Sequence, residues 1–190
     1  MPSASLIKEF EQLVGKENVF SSEADRQSYA YDAAVLKPMI PSLVVRPTEV
    51  EQLGQVVKRC YEEGIPMTVR GSGTNLTGGT IPDCSDTIVI LTTGLNKILE
   101  INTEDLYATV QPGVITAKFA AAVAAKGLFY PPDPGSMSVS TIGGNVAART
   151  GRLRGLTYGT TKNTVMGLER LASPDNLRKP GRHTRAGHRG

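Results

Sequence analysis

The sequence contains no tryptophan, and its aromatic residues are six tyrosines and four phenylalanines in 190 positions. Stacking platforms for single-stranded nucleic acid are therefore poorly supplied. The two cysteines, Cys60 and Cys84, fit no metal or redox spacing, which points to a reducing compartment. Histidine is missing from the first 169 residues; His183 and His188 both lie near the end. That excludes a Ser-His-Asp or Cys-His centre and any His-ligated metal in the body of the protein. No carboxylate or cysteine accompanies the late pair, so it is not read as a ligand set. No stretch approaches 18 apolar residues, and Met1-Pro2-Ser3-Ala4-Ser5 has no basic start before an apolar run. Neither a membrane span nor a secretion signal is expected.

What is present is ordinary globular composition, 39% hydrophobic and 21% charged, in a length suited to one domain or two joined subdomains. The net charge of +3 is unevenly placed. Residues 170–190 hold five Arg and one Lys against one Asp, and the first 169 residues carry −2. This last segment is rich in Pro, Gly, Arg and His without apolar periodicity, and it reads as a basic disordered tail. Clustered arginine also attracts polyanions, so a polyanion-binding arm is the alternative reading.

Along the chain, Leu6, Ile7, Phe10, Leu13 and Val14 fall at helical spacing, with Ser3 or Ser5 as cap and Gly15 as stop. Residues 16–41 are weakly periodic and read as an irregular connection. Ser42-Leu43-Val44-Val45 is a short β-branched run, read as a strand that ends at Pro47. Thr48 with Glu51 suggests a capping box for a helix whose apolar face is Val50, Leu53, Val56, Val57 and Cys60, closed by Gly64. A strand resumes at Pro66-Met67-Thr68-Val69, giving a βαβ unit with parallel pairing. Short strands follow at 87–91, 98–101 and 107–110, then an Ala-rich helix from Thr116 to Ala125, closed by Gly127. The fold class is α+β, with boundaries expected at 1–37 for the N-terminal helix and connection, 38–100 for a first subdomain, 101–169 for a second, and 170–190 for the tail.

Two long glycine-bearing loops carry the chemistry. The first is Arg70-Gly71-Ser72-Gly73-Thr74-Asn75-Leu76-Thr77-Gly78-Gly79 at a strand end. Four glycines permit positive φ and let backbone amides converge on an anion, while a structural glycine turn is the competing reading. Arg70 offers a charge to a phosphate or a surface ion pair. The loop is not a Walker loop, for no Gly-Lys-Ser/Thr follows, and it lacks the third glycine of a Rossmann fingerprint. The second runs from Tyr130-Pro131-Pro132-Asp133-Pro134-Gly135 through Ser138 to Thr141-Ile142-Gly143-Gly144-Asn145. Its prolines stiffen the approach, and its glycines serve either a flat ligand or a close-packed helix start.

In that order, with Gln111-Pro112-Gly113 between the loops and Gly155-Leu156-Thr157-Tyr158-Gly159 after them, the motifs resemble the FAD-binding domain of the vanillyl-alcohol oxidase and p-cresol methylhydroxylase type. Within it they resemble most the D-subunit of glycolate oxidases and the related D-lactate dehydrogenases, over residues 16–169. The resemblance implies a two-subdomain FAD-binding fold, truncated relative to that family. It implies that Arg70, Gly71, Ser72, Gly73, Thr74 and Asn75, with Gly78 and Gly79, wrap the FAD pyrophosphate, and that Pro112 and Gly113 border the adenine end. Pro134, Gly135, Ser138, Thr141, Gly143, Gly144 and Asn145 would line the ribityl and isoalloxazine side, and Tyr158 and Gly159 would complete that wall.

By the same resemblance the chain carries mainly the FAD-binding part of an enzyme that oxidises a small 2-hydroxy acid such as glycolate or D-lactate. The alternative is a non-catalytic flavin- or nucleotide-binding fragment. FAD would be held non-covalently, since relatives that attach it use a histidine. A second FAD-domain subunit and an iron–sulfur subunit are implied as partners, and nucleic acid is not. The location implied is cytoplasmic, or peripheral to a membrane through partners. Residues that handle the substrate in that family lie mostly beyond this sequence, so the catalytic residue is unknown and little turnover is expected of these 190 residues alone. Two departures stand out: Ala148-Arg149-Thr150-Gly151-Arg152 stands where relatives of the glycolate oxidase type continue Glu-Asn-Ala-Gly-Gly, which brings two arginines beside the expected flavin, and the tail leaves the family pattern, as an out-of-frame end would.

Overall fold

The computed structural model describes residues 2–149, 161–173 and 176–178. Helix α1 spans Ala4–Val14; the Ser3 hydroxyl accepts from the Leu6 amide at 3.2 Å, and Gly15 ends the helix at φ +90°. Its buried stripe is Leu6, Phe10 and Val14. Strand β1, Val19–Phe20, and helix α2, Glu23–Gln27, occupy part of the expected irregular connection. Elements of two and five residues leave no periodic trace in a sequence.

Strand β2, Leu43–Val45, is buried throughout, and helix α3, Val50–Glu62, follows it. The start of α3 differs from the expected Thr48/Glu51 box. Gln52, one residue later, turns its Oε1 back to accept from the amides of Thr48 at 2.9 Å and Glu49 at 3.1 Å. Gln52 Nε2 also donates to the Leu13 carbonyl of α1 at 3.1 Å, and that tertiary contact favours Gln52 over the solvent-facing Glu51. Gly64 closes α3 at φ +64°, as expected.

Strand β3, Met67–Arg70, and strand β4, Ile88–Leu91, complete a four-stranded sheet of order β1-β2-β4-β3. The two strands of the βαβ unit are not neighbours: β4 enters between them and pairs parallel with both, while β1 pairs antiparallel with β2. Burial explains the order. All four side chains of Ile88-Val89-Ile90-Leu91 are buried, whereas β3 carries Thr68 and Arg70 and leaves Val69 58% exposed. The most apolar strand takes the centre, where both faces are covered. One face, Leu43, Val45, Ile88 and Ile90, packs on α1 and α3; the other, Val44, Val89 and Leu91, packs on Phe20 and Tyr29.

The second unit holds the hairpin of β5, Ile98–Asn102, and β6, Tyr107–Val110, then helix α4, Thr116–Ala124, and helix α5, Ile142–Ala147. Asn102 Oδ1 accepts from the amides of Glu104 and Asp105, and Leu106 turns the chain at φ +55°. A separate core of Val114, Phe119 and Val123 gathers Ile98, Ile101, Val110, Tyr130 and Ile142 around it. Phe119 and Tyr130 meet edge to face, with centroids 4.8 Å apart.

The expectation of a wholly disordered tail does not hold at its start. Strands β7, Arg170–Ser173, and β8, Asn176–Arg178, pair antiparallel, with Leu171 opposite Leu177. Two strands this short, with Leu171, Ala172 and Leu177 as their apolar members, are too brief to register as alternation. Residues 179–190 lie outside the described part.

Candidate functional site

The first glycine loop leaves the carboxyl end of β3, beside the parallel β4, the usual position for ligands in open parallel sheets. From there a closed ring of contacts joins the sequence motifs. Thr92 Oγ1, just past β4, donates to the Arg70 carbonyl at 3.3 Å. The Gly113 amide donates to the Leu95 carbonyl at 2.7 Å, and a Cβ on Gly113 would overlap the Thr92 and Leu95 carbonyl oxygens. The Gly143 amide donates to the Pro112 carbonyl at 2.8 Å. Thr141 stands against Gly71, where a Cβ would strike its hydroxyl, and the Ser72 hydroxyl donates to the Val139 carbonyl. Two loops whose contacting residues Ser72 and Val139 lie 67 positions apart in sequence are thereby held edge to edge.

Positive φ, expected from the glycine pattern of the first loop, occurs at Gly73, +70°, and Gly78, +75°. Gly71 and Gly79 do not adopt it. Gly71 is needed for its contact with Thr141, and nothing comes within 3.7 Å of a Cβ on Gly79. Asn75 Oδ1 accepts from the amides of Thr77 and Gly79, both at 3.1 Å, and from the Thr77 hydroxyl at 3.0 Å. Those two amides are spent inside the loop, which removes Gly79 from the expected amide donors. The amides of Ser72, Gly73, Thr74, Asn75, Leu76 and Gly78 meet no acceptor among the described residues. Unspent amides on a glycine-bent loop form an anion nest, so the residues present fit a pyrophosphate.

Arg70 is not placed as a phosphate ligand. Its side chain is 7% exposed; Nη1 donates to the Tyr31 carbonyl at 2.6 Å and the Thr80 hydroxyl at 3.3 Å, and the guanidinium stacks 5.7 Å from the Tyr29 ring. Burial lowers its pKa, and the nearby Asp32 opposes that shift. The Ala33 amide also donates to the Gly73 carbonyl at 3.1 Å. Residues 29–34 therefore strap the loop from behind, a role no periodic pattern could signal in a polar, Tyr-rich run.

In the second loop Pro134 is buried, while Gly135 and Ser138 are exposed. Thr141 caps α5, accepting from the Gly144 amide at 3.2 Å. Gly143 is a packing glycine, since a Cβ there would overlap Pro112; Gly144 is exposed and meets only the Thr141 hydroxyl. Asn145, 2% exposed, donates to the Thr116 hydroxyl at 2.7 Å, and Thr116 Oγ1 donates to the Ser140 carbonyl at 2.9 Å. Gly143 and Asn145 thus hold the loop in place instead of facing open space. Arg149 is exposed, at φ +50°. Arg152, Tyr158 and Gly159 lie outside the described residues.

Among the described residues no cluster of His, Cys, Asp or Glu could hold a metal, and no helix is long and apolar enough to cross a membrane.

The family model of an FAD binding domain matches residues 41–175. The chain is 48% identical over 172 residues to the glycolate oxidase subunit GlcD of Bacillus subtilis, covering 90% of this chain and 36% of that protein. It is 32% identical over 163 residues to a D-lactate dehydrogenase of Anaerostipes hadrus, covering 86% and 34%. Among solved structures, p-cresol methylhydroxylase with substrate bound superposes with a TM-score of 0.68 at 26% identity, over 77% of this chain and 29% of that one. The chain thus spans about a third of the length of its curated relatives. With the motif order, the contact ring and these likenesses in agreement, the chain belongs to the FAD-binding domain family of FAD-linked oxidoreductases, in its p-cresol methylhydroxylase-type fold.

Proposed function

We propose that the chain binds FAD without a covalent link, with the pyrophosphate over the 71–79 loop, and serves an enzyme that oxidises a small 2-hydroxy acid such as glycolate or D-lactate. The observation that carries the reading is the set of six unspent loop amides at Ser72, Gly73, Thr74, Asn75, Leu76 and Gly78. Hydrogen bonds from amides to a charged group are worth about 1.5–3 kcal/mol each, and a pyrophosphate offers enough acceptor oxygens to use several. Pro112 and Gly113 border the adenine end. The exposed Gly135, Ser138 and Gly144 line the flavin side, with Pro134, Thr141, Gly143 and Asn145 fixing the backbone behind them. The lack of histidine in residues 1–169 supports non-covalent attachment.

When bound, FAD supplies the two-electron acceptor for the alcohol. The chain's own residues bind and orient the cofactor, and none is assigned as the base. The Bacillus relative is named a glycolate oxidase subunit, which supports placing this chain in an assembly; the second FAD-domain subunit and the iron–sulfur subunit are partners that the motif resemblance implies. Titrating FAD into the purified protein, followed by quenching of flavin fluorescence, tests the cofactor half: saturable binding is expected, and none at high micromolar FAD would overturn it. The substrate half is tested on the assembly isolated with its partners. Turnover of glycolate or D-lactate with an artificial electron acceptor is expected, and a flavin-loaded assembly inert toward both acids would contradict it.

A further inference from the structure

We propose that Asp32 is a positioning residue for the cofactor loop, acting through Thr80 and Asn75 to decide which loop amides are spent and which are left for the ligand. The proposal rests on the FAD reading above. Asp32 is 9% exposed and far from the loop in sequence, yet its carboxylate ties the two together. Oδ1 accepts from the Ala34 amide at 2.8 Å, which turns the strap, and Oδ2 accepts from the Thr80 hydroxyl at 3.1 Å.

A carboxylate only accepts, so the Thr80 hydrogen is committed to Asp32 and the hydroxyl oxygen must accept from its other neighbours. Those are Asn75 Nδ2 at 3.2 Å and Arg70 Nη1 at 3.3 Å. Asn75 is thereby fixed with its NH2 toward Thr80 and its carbonyl toward the loop, where it takes the Thr77 and Gly79 amides. Reversing the polarity at Asp32 would let Thr80 donate to Asn75 instead. The Asn75 amide would then flip, present NH2 to two N–H groups, and release the turn that holds Ser72 to Leu76 and Gly78 with their amides unspent. The carboxylate also faces the buried Arg70, which carries the strap through Tyr31.

The test compares wild type, Asp32→Asn and Thr80→Val in titrations with FAD and with ADP, which carries the pyrophosphate but no flavin. Each variant's melting temperature is measured without ligand. Arg59→Ala, on the far face between α1 and α3, serves as a purely structural control, since it removes contacts to Glu9, Glu62 and Glu63. Asp32→Asn, though isosteric, is expected to weaken FAD and ADP by the same factor, about tenfold, the effect of one lost buried hydrogen bond. Thr80→Val is expected to match it. The double variant is expected to lose little more than either single one, because both break one relay. Arg59→Ala is expected to lower the melting temperature and leave both affinities unchanged. Wild-type affinity in both Asp32→Asn and Thr80→Val would overturn the proposal while leaving the FAD reading intact, and additive losses in the double variant would overturn the relay. Failure of wild type to bind FAD would remove the FAD reading and this proposal with it.

Discussion

The two glycine-rich segments look alike in the sequence and do opposite work in the structure. In residues 71–79 the glycines bend the chain, at φ +70° and +75°, and leave six amides without a described acceptor. In residues 134–145 most amides are already committed: Met137, Val139, Ser140, Ile142, Gly143, Gly144 and Asn145 all donate within the chain. There Gly143 exists so that α5 can lie on the Pro112 carbonyl. Glycine content therefore marks close approach of some kind, and only the hydrogen-bond ledger separates a cradle for a ligand from a seam between backbones.

That contrast should break in a graded way. The largest loss is expected from substitution in the seam. Gly113→Ala would place a Cβ onto two backbone oxygens beside β4, and overpacking against backbone should cost about 3 kcal/mol. Urea unfolding measures it, and a loss below about 0.5 kcal/mol would show that the seam can spread. Gly143→Ala should follow it closely, through Pro112. In the cradle the order reverses. Gly73→Ala demands a left-handed L-residue, costing about 1–2 kcal/mol, and sets its Cβ against the Arg70 guanidinium. Its main effect should be on FAD, with affinity lowered about tenfold or more at a smaller cost in stability. Gly79→Ala, with no positive φ and open space around it, should bind FAD nearly as wild type does.

Much of this fold is legible from residues alone. The stripe Leu6, Phe10, Val14 and the face Val56, Cys60 announce their helices, because amphipathic periodicity over three turns is a strong signal. The strand Ile88–Leu91 is equally visible, but its place between β2 and β3 is a tertiary fact set by which strand can be buried on both sides. Site legibility divides the same way. The glycine-rich pattern of residues 71–79 points to a bent loop, and Gly73 and Gly78 do bend it. Asp32 and Thr80 leave no such sign, for a buried carboxylate and a hydroxyl 48 positions apart share no motif. Arg70 misleads: a strand-end arginine before a glycine loop suggests a phosphate ligand, and only its partners Tyr31, Thr80 and Tyr29 show it serving the strap.

Smaller effects are expected away from both loops. The Cys60 thiol is fully buried, and burial pushes its pKa up from 9.0 to about 11. The folded state therefore keeps a proton that the unfolded state releases, so its contribution is present below pH 9 and lost as pH rises through about 11. Stability measured across that window should fall with pH, and the fall should be shallower in Cys60→Ala. An unchanged slope would mean that the thiol is wetter than its packing implies. In native protein a thiol reagent should modify the exposed Cys84 and spare Cys60 until denaturant is added.

Amide hydrogen exchange, resolved by residue with and without FAD, tests the cradle most directly. FAD should slow exchange at Ser72, Gly73, Thr74, Asn75, Leu76 and Gly78. Thr77 and Gly79, already bonded to Asn75, should be protected beforehand and change little. FAD that binds while those six amides keep their rates, or that protects the 134–145 segment instead, would contradict the account.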